Sequence, residues 1–245
     1  MASSTPDLTS RLLRHERLLI GGGIALLAAL SWWFVIAGGG MGRMDGMAMA
    51  PPLAAVVLMW WLMMAAMMLP AAAPSVLLYA QVRRRELARG SSLAAPWTFL
   101  AGYLLVWLLF SLTAAALQGA LTGPAMRLDD KRAQAGVLIA AGLYQLSPLK
   151  GACLRQCQSP AQFFARHWRP GPVGALRLGL LHGAYCVGCC WMLMAILFVG
   201  GVMNLALVAA LTLLVSAEKL LPGGRRAAYA AAAGLIGWGG VLLLA

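Results

Sequence analysis

The chain has 245 residues, of which 62% are hydrophobic and only 11% are charged, with a formal net charge of +12. Because soluble domains are usually about a quarter charged, this composition excludes an ordinary soluble surface and predicts that lipid covers much of the exterior. The positive charge lies in short gaps between apolar runs, where orientation signals of membrane proteins are found. No motif for reading nucleic acid accompanies it, so we expect no nucleic-acid partner.

Successive apolar runs predict an all-α fold, a polytopic transmembrane helical bundle of about seven helices. A cytoplasmic N-terminal tail, 1–17, precedes a single transmembrane domain, 18–245. Pro70 and Pro74 interrupt the second run and predict a kink or a break there. The fourth run is so short that full spanning stays open. The runs cover 18–37, 53–79, 97–121, 135–146, 176–202, 205–221 and 227–245.

The distribution of Lys and Arg predicts the orientation of the bundle. With the N-terminus inside, the inner segments hold fourteen Lys or Arg residues and the outer segments hold four. The positive-inside rule then places the N-terminus inside and the C-terminus outside. In this arrangement 38–52 is a Met-rich outer loop and 149–175 is an inner segment that contains cysteine, with 161–168 lying along the interface.

Methionine is concentrated in the outer loop and in the second run. Thioether sulfur is a soft ligand that suits Cu(I). The spacing of Met59, Met63 and Met67 predicts one helical stripe, with Met64 and Met68 beside it. Packing in a helical core would produce the same spacing, because Met also fills gaps between packed helices. Core packing does not explain the methionines of the loop, because a glycine-rich loop has no core to fill. The methionines of the loop are Met41, Met44, Met47 and Met49.

All five cysteines lie within 153–190, together with His182, a histidine inside the fifth apolar run. His182, Cys186 and Cys189 are spaced i, i+4, i+7 and so share one helical face, with Cys190 at its edge. Thiolate and imidazole are ligands for Cu(I) or Zn(II). The alternatives are inert buried thiols and, for the histidine, a hydrogen bond between helices. Two further thiols, one helical turn apart, are Cys153 and Cys157.

The predicted topology brings the methionines of the second run and the thiols of the fifth run to similar depth. A Cu(I) ion that enters from outside would therefore meet successive soft ligands. At the inner end of the sixth run we expect Glu218 to be a solvated interface acid, or else to pair with Lys150 or Arg177 inside the bundle or to take part in proton movement. We expect Lys219 to extend to the inner surface.

The stretches 61–70, 144–157 and 182–204, with Glu218 and Lys219, together resemble the bacterial family of predicted metal-binding integral membrane proteins. The resemblance covers roughly 20–222. It implies a helical protein of the bacterial inner membrane that binds metal, with no established biochemical activity to carry over.

These patterns favour a membrane protein that binds, chaperones or transports Cu(I), with zinc as the other metal, rather than an enzyme. The expected partners are the lipid bilayer, the metal ion and a periplasmic or cytoplasmic metal-carrier protein. The sequence shows no nucleotide-binding loop, so we expect no ATP-driven pumping by this chain alone. Two alternatives stay open. One is a membrane thiol–disulfide oxidoreductase that uses the C-x-x-C pair Cys186 and Cys189, and the other is a structural subunit of a membrane complex.

Overall fold

The computed structural model describes residues 5–38, 52–87, 96–121 and 127–244, and the regular structure in these ranges is entirely helical. This confirms the all-α prediction for the described part of the chain. The four methionines of the predicted outer loop lie outside the described residues. The helices are α1 (Thr5–Ile36), α2 (Leu53–Leu87), α3 (Pro96–Leu121), α4 (Lys131–Leu146), α5 (Pro148–Gln158), α6 (Pro160–His167), α7 (Gly171–Ala195), α8 (Leu197–Gly200), α9 (Leu205–Leu220) and α10 (Gly224–Leu244).

The number of helices that could cross a membrane is smaller than predicted. Five stretches in the described residues are long and apolar enough, and the pair α4 and α5, bent by 63° at their junction, would make a sixth. Helix α9, with 16 residues, is shorter than the usual span. The five are Arg17–Ile36, Leu53–Arg85, Pro96–Leu121, Gly171–Gly200 and Gly224–Leu244.

The bend between α4 and α5 has a local cause. Ser147 precedes a proline, which disfavours the helical conformation, and its backbone is extended, with φ −68° and ψ 146°. Its side chain then accepts a hydrogen bond from the Lys150 backbone N–H and so caps α5. The short fourth run therefore ends at Leu146, as the sequence predicts, and the chain continues as α5 in a new direction.

Of the kink or break predicted at Pro70 and Pro74, the break is wrong, because α2 continues through both residues. A proline cannot donate to the carbonyl four residues earlier, which for Pro70 is that of Ala66. The indole N–H of Trp32 on α1 donates to this carbonyl instead, at 3.0 Å. A neighbouring helix thus supplies the hydrogen bond that the proline removes.

Helix α7 is held close to α3 by glycine. A Cβ atom at Gly179 would collide with the carbonyl group of Phe99, and one at Gly102 would collide with that of Leu176. Small residues allow this approach of two backbones. Helix α5 packs on another side of α7, and α2 contacts both α3 and α9. The cysteine-bearing part of α7 therefore lies in the middle of the bundle.

Candidate metal centre

Helix α7 turns one face into the interior of the bundle. His182, Cys186, Cys189 and Cys190 are all buried on it, as their helical spacing predicts. The five cysteines are free thiols. The arrangement brings four potential soft or borderline ligands to a place that water does not reach.

A lysine lies among these sulfur atoms. The Nζ atom of Lys219 is 2.9 Å from Cys186 Sγ, 3.6 Å from Met68 Sδ and 4.0 Å from Cys190 Sγ. Lys219 is only 6% exposed, so the prediction that it extends to the surface is wrong. The short helix α9 ends at Leu220, and its last turn directs this side chain inward, where sulfur lone pairs accept from the ammonium group.

Tyr103 on α3 completes the surroundings of Cys186. Its hydroxyl is 3.0 Å from Cys186 Sγ, and the residue is 1% exposed. Sequence reasoning missed both Tyr103 and Lys219 as members of this site. Lys219 carried a usable signal, since an ionisable residue in an apolar run is a functional-site candidate. Tyr103 carried none, because an aromatic residue in such a run usually packs.

The thiols of α7 make contacts along their own helix. Cys189 Sγ and Cys190 Sγ both donate to the carbonyl oxygen of Cys186, at 3.1 Å and 2.9 Å. These bonds direct the hydrogens of both thiols toward the backbone. In their present rotamers the two groups are therefore satisfied without a metal.

Helix α5 brings its two thiols to α7. The thiol of Cys157 lies near those of Cys186 and Cys189. The sulfur of Cys153 lies against Gly188, where a Cβ atom would be 2.9 Å from it. Helix α5 therefore places Cys153 and Cys157 beside the cysteine-bearing part of α7.

His182 occupies an aromatic cage. Its ring centroid is 5.8 Å from Phe99, 5.9 Å from Tyr103 and 5.3 Å from Phe163. The residue is 3% exposed, and its Nδ1 atom has no hydrogen-bond partner within the described part of the chain. Buried polar atoms are normally paired, so a nitrogen without a partner is unusual. This nitrogen makes no hydrogen bond between helices and is left available as a ligand.

The methionine stripe of α2 faces the interior. Met59, Met63, Met64, Met67 and Met68 are each at most 1% exposed. Met68 connects this stripe to the thiols, since its sulfur and that of Cys186 contact the same ammonium group. The two predicted ligand groups, from α2 and α7, therefore meet in the interior.

The sulfur atoms do not yet form a metal site. No group of three or more His, Cys, Asp or Glu side chains in the described ranges is arranged to hold a metal ion. The ammonium group of Lys219 lies between the sulfurs, and the thiols of Cys189 and Cys190 point to a carbonyl. The donors nevertheless fit Cu(I) in kind, because thiol, thioether and imidazole are the groups that this ion prefers.

Glu218, the neighbour of Lys219, belongs to a separate buried pair. Its carboxylate accepts from Lys150 Nζ at 2.6 Å and from Gln145 Nε2 at 2.8 Å. With 1% exposure it is not a solvated interface acid, so that expectation is wrong, and the pairing with Lys150 is confirmed. The pair also ties α9 to α5, because Gln158 Nε2 donates to the Glu218 carbonyl at 2.7 Å.

Comparison with known proteins identifies one family. Residues 57–242 match the family described as "PpoB2: Copper chaperone". No curated protein matches the chain, and no solved structure matches it. The family match includes the methionine stripe of α2, both cysteine pairs and Lys219. With three quarters of its length matched, the chain belongs to this family of copper chaperones.

Proposed function

We propose that this chain is an integral membrane protein of the bacterial inner membrane that binds Cu(I) and passes it on. The observation that carries the proposal is that Lys219 places a cation among the sulfur atoms of Met68, Cys186 and Cys190, which come from two helices. A pocket that surrounds a monovalent cation with soft donors has the charge and the ligand type that Cu(I) requires.

Cys186, Cys190 and Met68 are the proposed primary ligands. Their sulfur atoms already surround one point, so Cu(I) could bind there with rotations of side chains alone. Cys157, Cys189 and the unpaired nitrogen of His182 lie next to this point and offer further positions. The methionines of the outer loop would capture the ion before it enters.

Binding requires the ammonium group of Lys219 to leave. This side chain also lines a surface cavity of about 250 Å³, together with Gln158 and Pro222. A lysine stem is flexible and can extend toward such a surface. Its withdrawal into the cavity would open the sulfur cluster to the inner side of the bundle, which is the predicted cytoplasmic side.

Metal analysis of the purified protein tests this function. Protein in detergent is loaded with Cu(I) under reducing, anaerobic conditions, washed with a weak Cu(I) chelator, and measured for copper and zinc. We expect about one copper per chain in the wild type and none in the double variant Cys186→Ser/Cys190→Ser. Cys153→Ser, which removes a thiol outside the cluster, should retain copper. Equal copper in wild type and double variant would disprove the proposal.

Zinc is disfavoured by the composition of the cluster. Zn(II) binds thiolate and imidazole in tetrahedral sites, whereas thioether sulfur selects Cu(I). The participation of Met68 therefore favours copper, and the same metal analysis reports zinc directly.

A thiol–disulfide oxidoreductase is a second candidate, favoured by one contact. Cys157 lies near both Cys186 and Cys189, so a disulfide could exchange between α5 and α7 by thiolate attack. This activity would leave the methionine stripe without a role. Titration of free thiols before and after addition of a quinone separates the two: loss of two thiols per chain supports the oxidoreductase.

A further inference from the structure

A polar cavity lies at the bend between α4 and α5, away from the sulfur cluster. Its volume is about 370 Å³, and the first turns of α10 form its outer wall. Arg155 and Arg225 line it from two helices, and Gln145 and Lys150 line it as well. Nothing in the proposed copper site uses this cavity.

The cavity carries uncompensated positive charge. Lys150 is neutralised by Glu218 at 2.6 Å, but within the described ranges neither Arg155 nor Arg225 has an acidic partner. Arg225 Nε donates to the hydroxyl of Tyr229 at 3.0 Å, which orients its guanidinium group without cancelling its charge. Two guanidinium groups beside one cavity favour an anion with several oxygen atoms, because they bind phosphate through paired hydrogen bonds.

Gln145, one of the residues that line the cavity, carries a buried acceptor without a partner in the described part of the chain. Gln145 Nε2 donates to the Glu218 carboxylate, and since a carboxylate only accepts, this bond fixes the orientation of the amide. The Gln145 Oε1 atom is then buried without a partner in the described part of the chain, on a residue that is 5% exposed. An unpaired acceptor in a buried position calls for a donor such as a hydroxyl group.

The cavity lies where a membrane surface would be. The candidate span of α10 begins at Gly224, one residue before Arg225. Leu146, which lines the cavity, is 50% exposed, and Leu149, which follows the bend, is 69% exposed. A ligand here would meet charge and apolar surface together, at the level where basic residues meet lipid phosphates.

We propose that the cavity binds the headgroup of an anionic phospholipid, with its phosphodiester held by Arg155 and Arg225 and a headgroup hydroxyl donating to Gln145 Oε1. Phosphatidylglycerol has this combination of one negative charge and free hydroxyls. The proposal rests on the membrane location proposed above and is independent of copper binding.

Native mass spectrometry of the full-length protein in detergent tests it, with defined lipids added. We expect phosphatidylglycerol to be retained better than phosphatidylmethanol, which has the same charge and no hydroxyl, and phosphatidylcholine to be retained least. Arg155→Gln/Arg225→Gln should lower retention of phosphatidylglycerol about tenfold, as expected for the loss of charge-assisted hydrogen bonds. The matched control is Arg166→Gln/Arg169→Gln, which removes the same charge from exposed residues outside the cavity and should retain the lipid.

Equal retention by the two double variants would overturn the proposal. Displacement of the lipid by millimolar inorganic phosphate would also overturn it, since the site would then belong to free phosphate. Copper content is measured on the same samples to distinguish the two proposals. Loss of lipid with normal copper would affect the lipid site only, and loss of copper with normal lipid would affect the copper site only. Protein that stays soluble without detergent would instead refute the membrane location.

Discussion

Lys219 and Cys186 are in direct contact, with the ammonium nitrogen 2.9 Å from the sulfur. The contact joins the end of α9 to the middle of α7 and lies in the interior of the bundle. Burial of a charged group without compensation is costly, so the sulfur atoms around the ammonium group are its compensation. A Cu(I) ion bound to the same sulfurs would replace one monovalent cation with another.

This exchange predicts the effect of removing the lysine. A Cu(I) ion about 4 Å from a retained ammonium group would be repelled by roughly 4 kcal/mol at an effective dielectric constant of about 20, so in the wild type the ammonium group must leave before the ion binds. Lys219→Met removes this repulsion at similar volume, so we expect Cu(I) to bind at least about tenfold more tightly, measured by competition with a chromogenic Cu(I) chelator. Lys131→Met, at an exposed position, is the control and should bind as the wild type does. Weaker binding by Lys219→Met would show that the ammonium group supports ligation.

The methionine stripe predicts a graded response. Exchange of Met for Leu conserves volume and usually costs less than about 1.5 kcal/mol, so single variants should fold. Met68→Leu should lower the affinity for Cu(I), because Met68 contacts the cation in the cluster. Met59→Leu, equally buried but more than two helical turns away, should not change the final affinity. Identical affinities for Cu(I) in the two variants would show that the thioether of Met68 is not a ligand of the ion.

The buried pair of Lys150 and Glu218 predicts a stability effect. Removal of one member of a buried ion pair typically costs about 3–5 kcal/mol, because the other charge is left uncompensated. Lys150→Met should therefore lower the thermal unfolding midpoint, followed by tryptophan fluorescence in detergent. The double variant Lys150→Met/Glu218→Met should recover much of the loss. A double variant as unstable as the sum of both single variants would show that the two residues act independently.

The contrast between helices and ionisable residues shows what the sequence could predict. Periodicity placed Cys186 and its neighbours on one buried face because a helix repeats every 3.6 residues whatever surrounds it. The direction of Lys219 depends on how far α9 reaches into the bundle, which no local pattern records. Likewise, the continuity of α2 at Pro70 depends on Trp32, a residue of another helix. The direction of Lys219 and the continuity of α2 could not be predicted because both depend on contacts between different helices.

The close approach of α3 and α7 predicts that a single methyl group would disturb the metal centre. A Cβ atom at Gly179 would collide with the Phe99 carbonyl group, so Gly179→Ala must push α7 away from α3. The contact between Tyr103 and Cys186, now 3.0 Å, would then lengthen. We expect a lower unfolding midpoint together with weaker binding of Cu(I), both measured on the same detergent-solubilised sample.

Gly237→Ala is the matched control for this substitution, since Gly237 lies within α10 and a Cβ atom there meets nothing within 4 Å. In a helix interior alanine is favoured over glycine by about 1 kcal/mol, so this variant should be as stable as the wild type or slightly more stable, with unchanged copper binding. If Gly179→Ala behaved like Gly237→Ala in both measurements, the packing of α3 against α7 would not be what positions Cys186. A loss at Gly179 alone would mean that the backbone contact, and not helix propensity, sets the geometry of the thiol cluster.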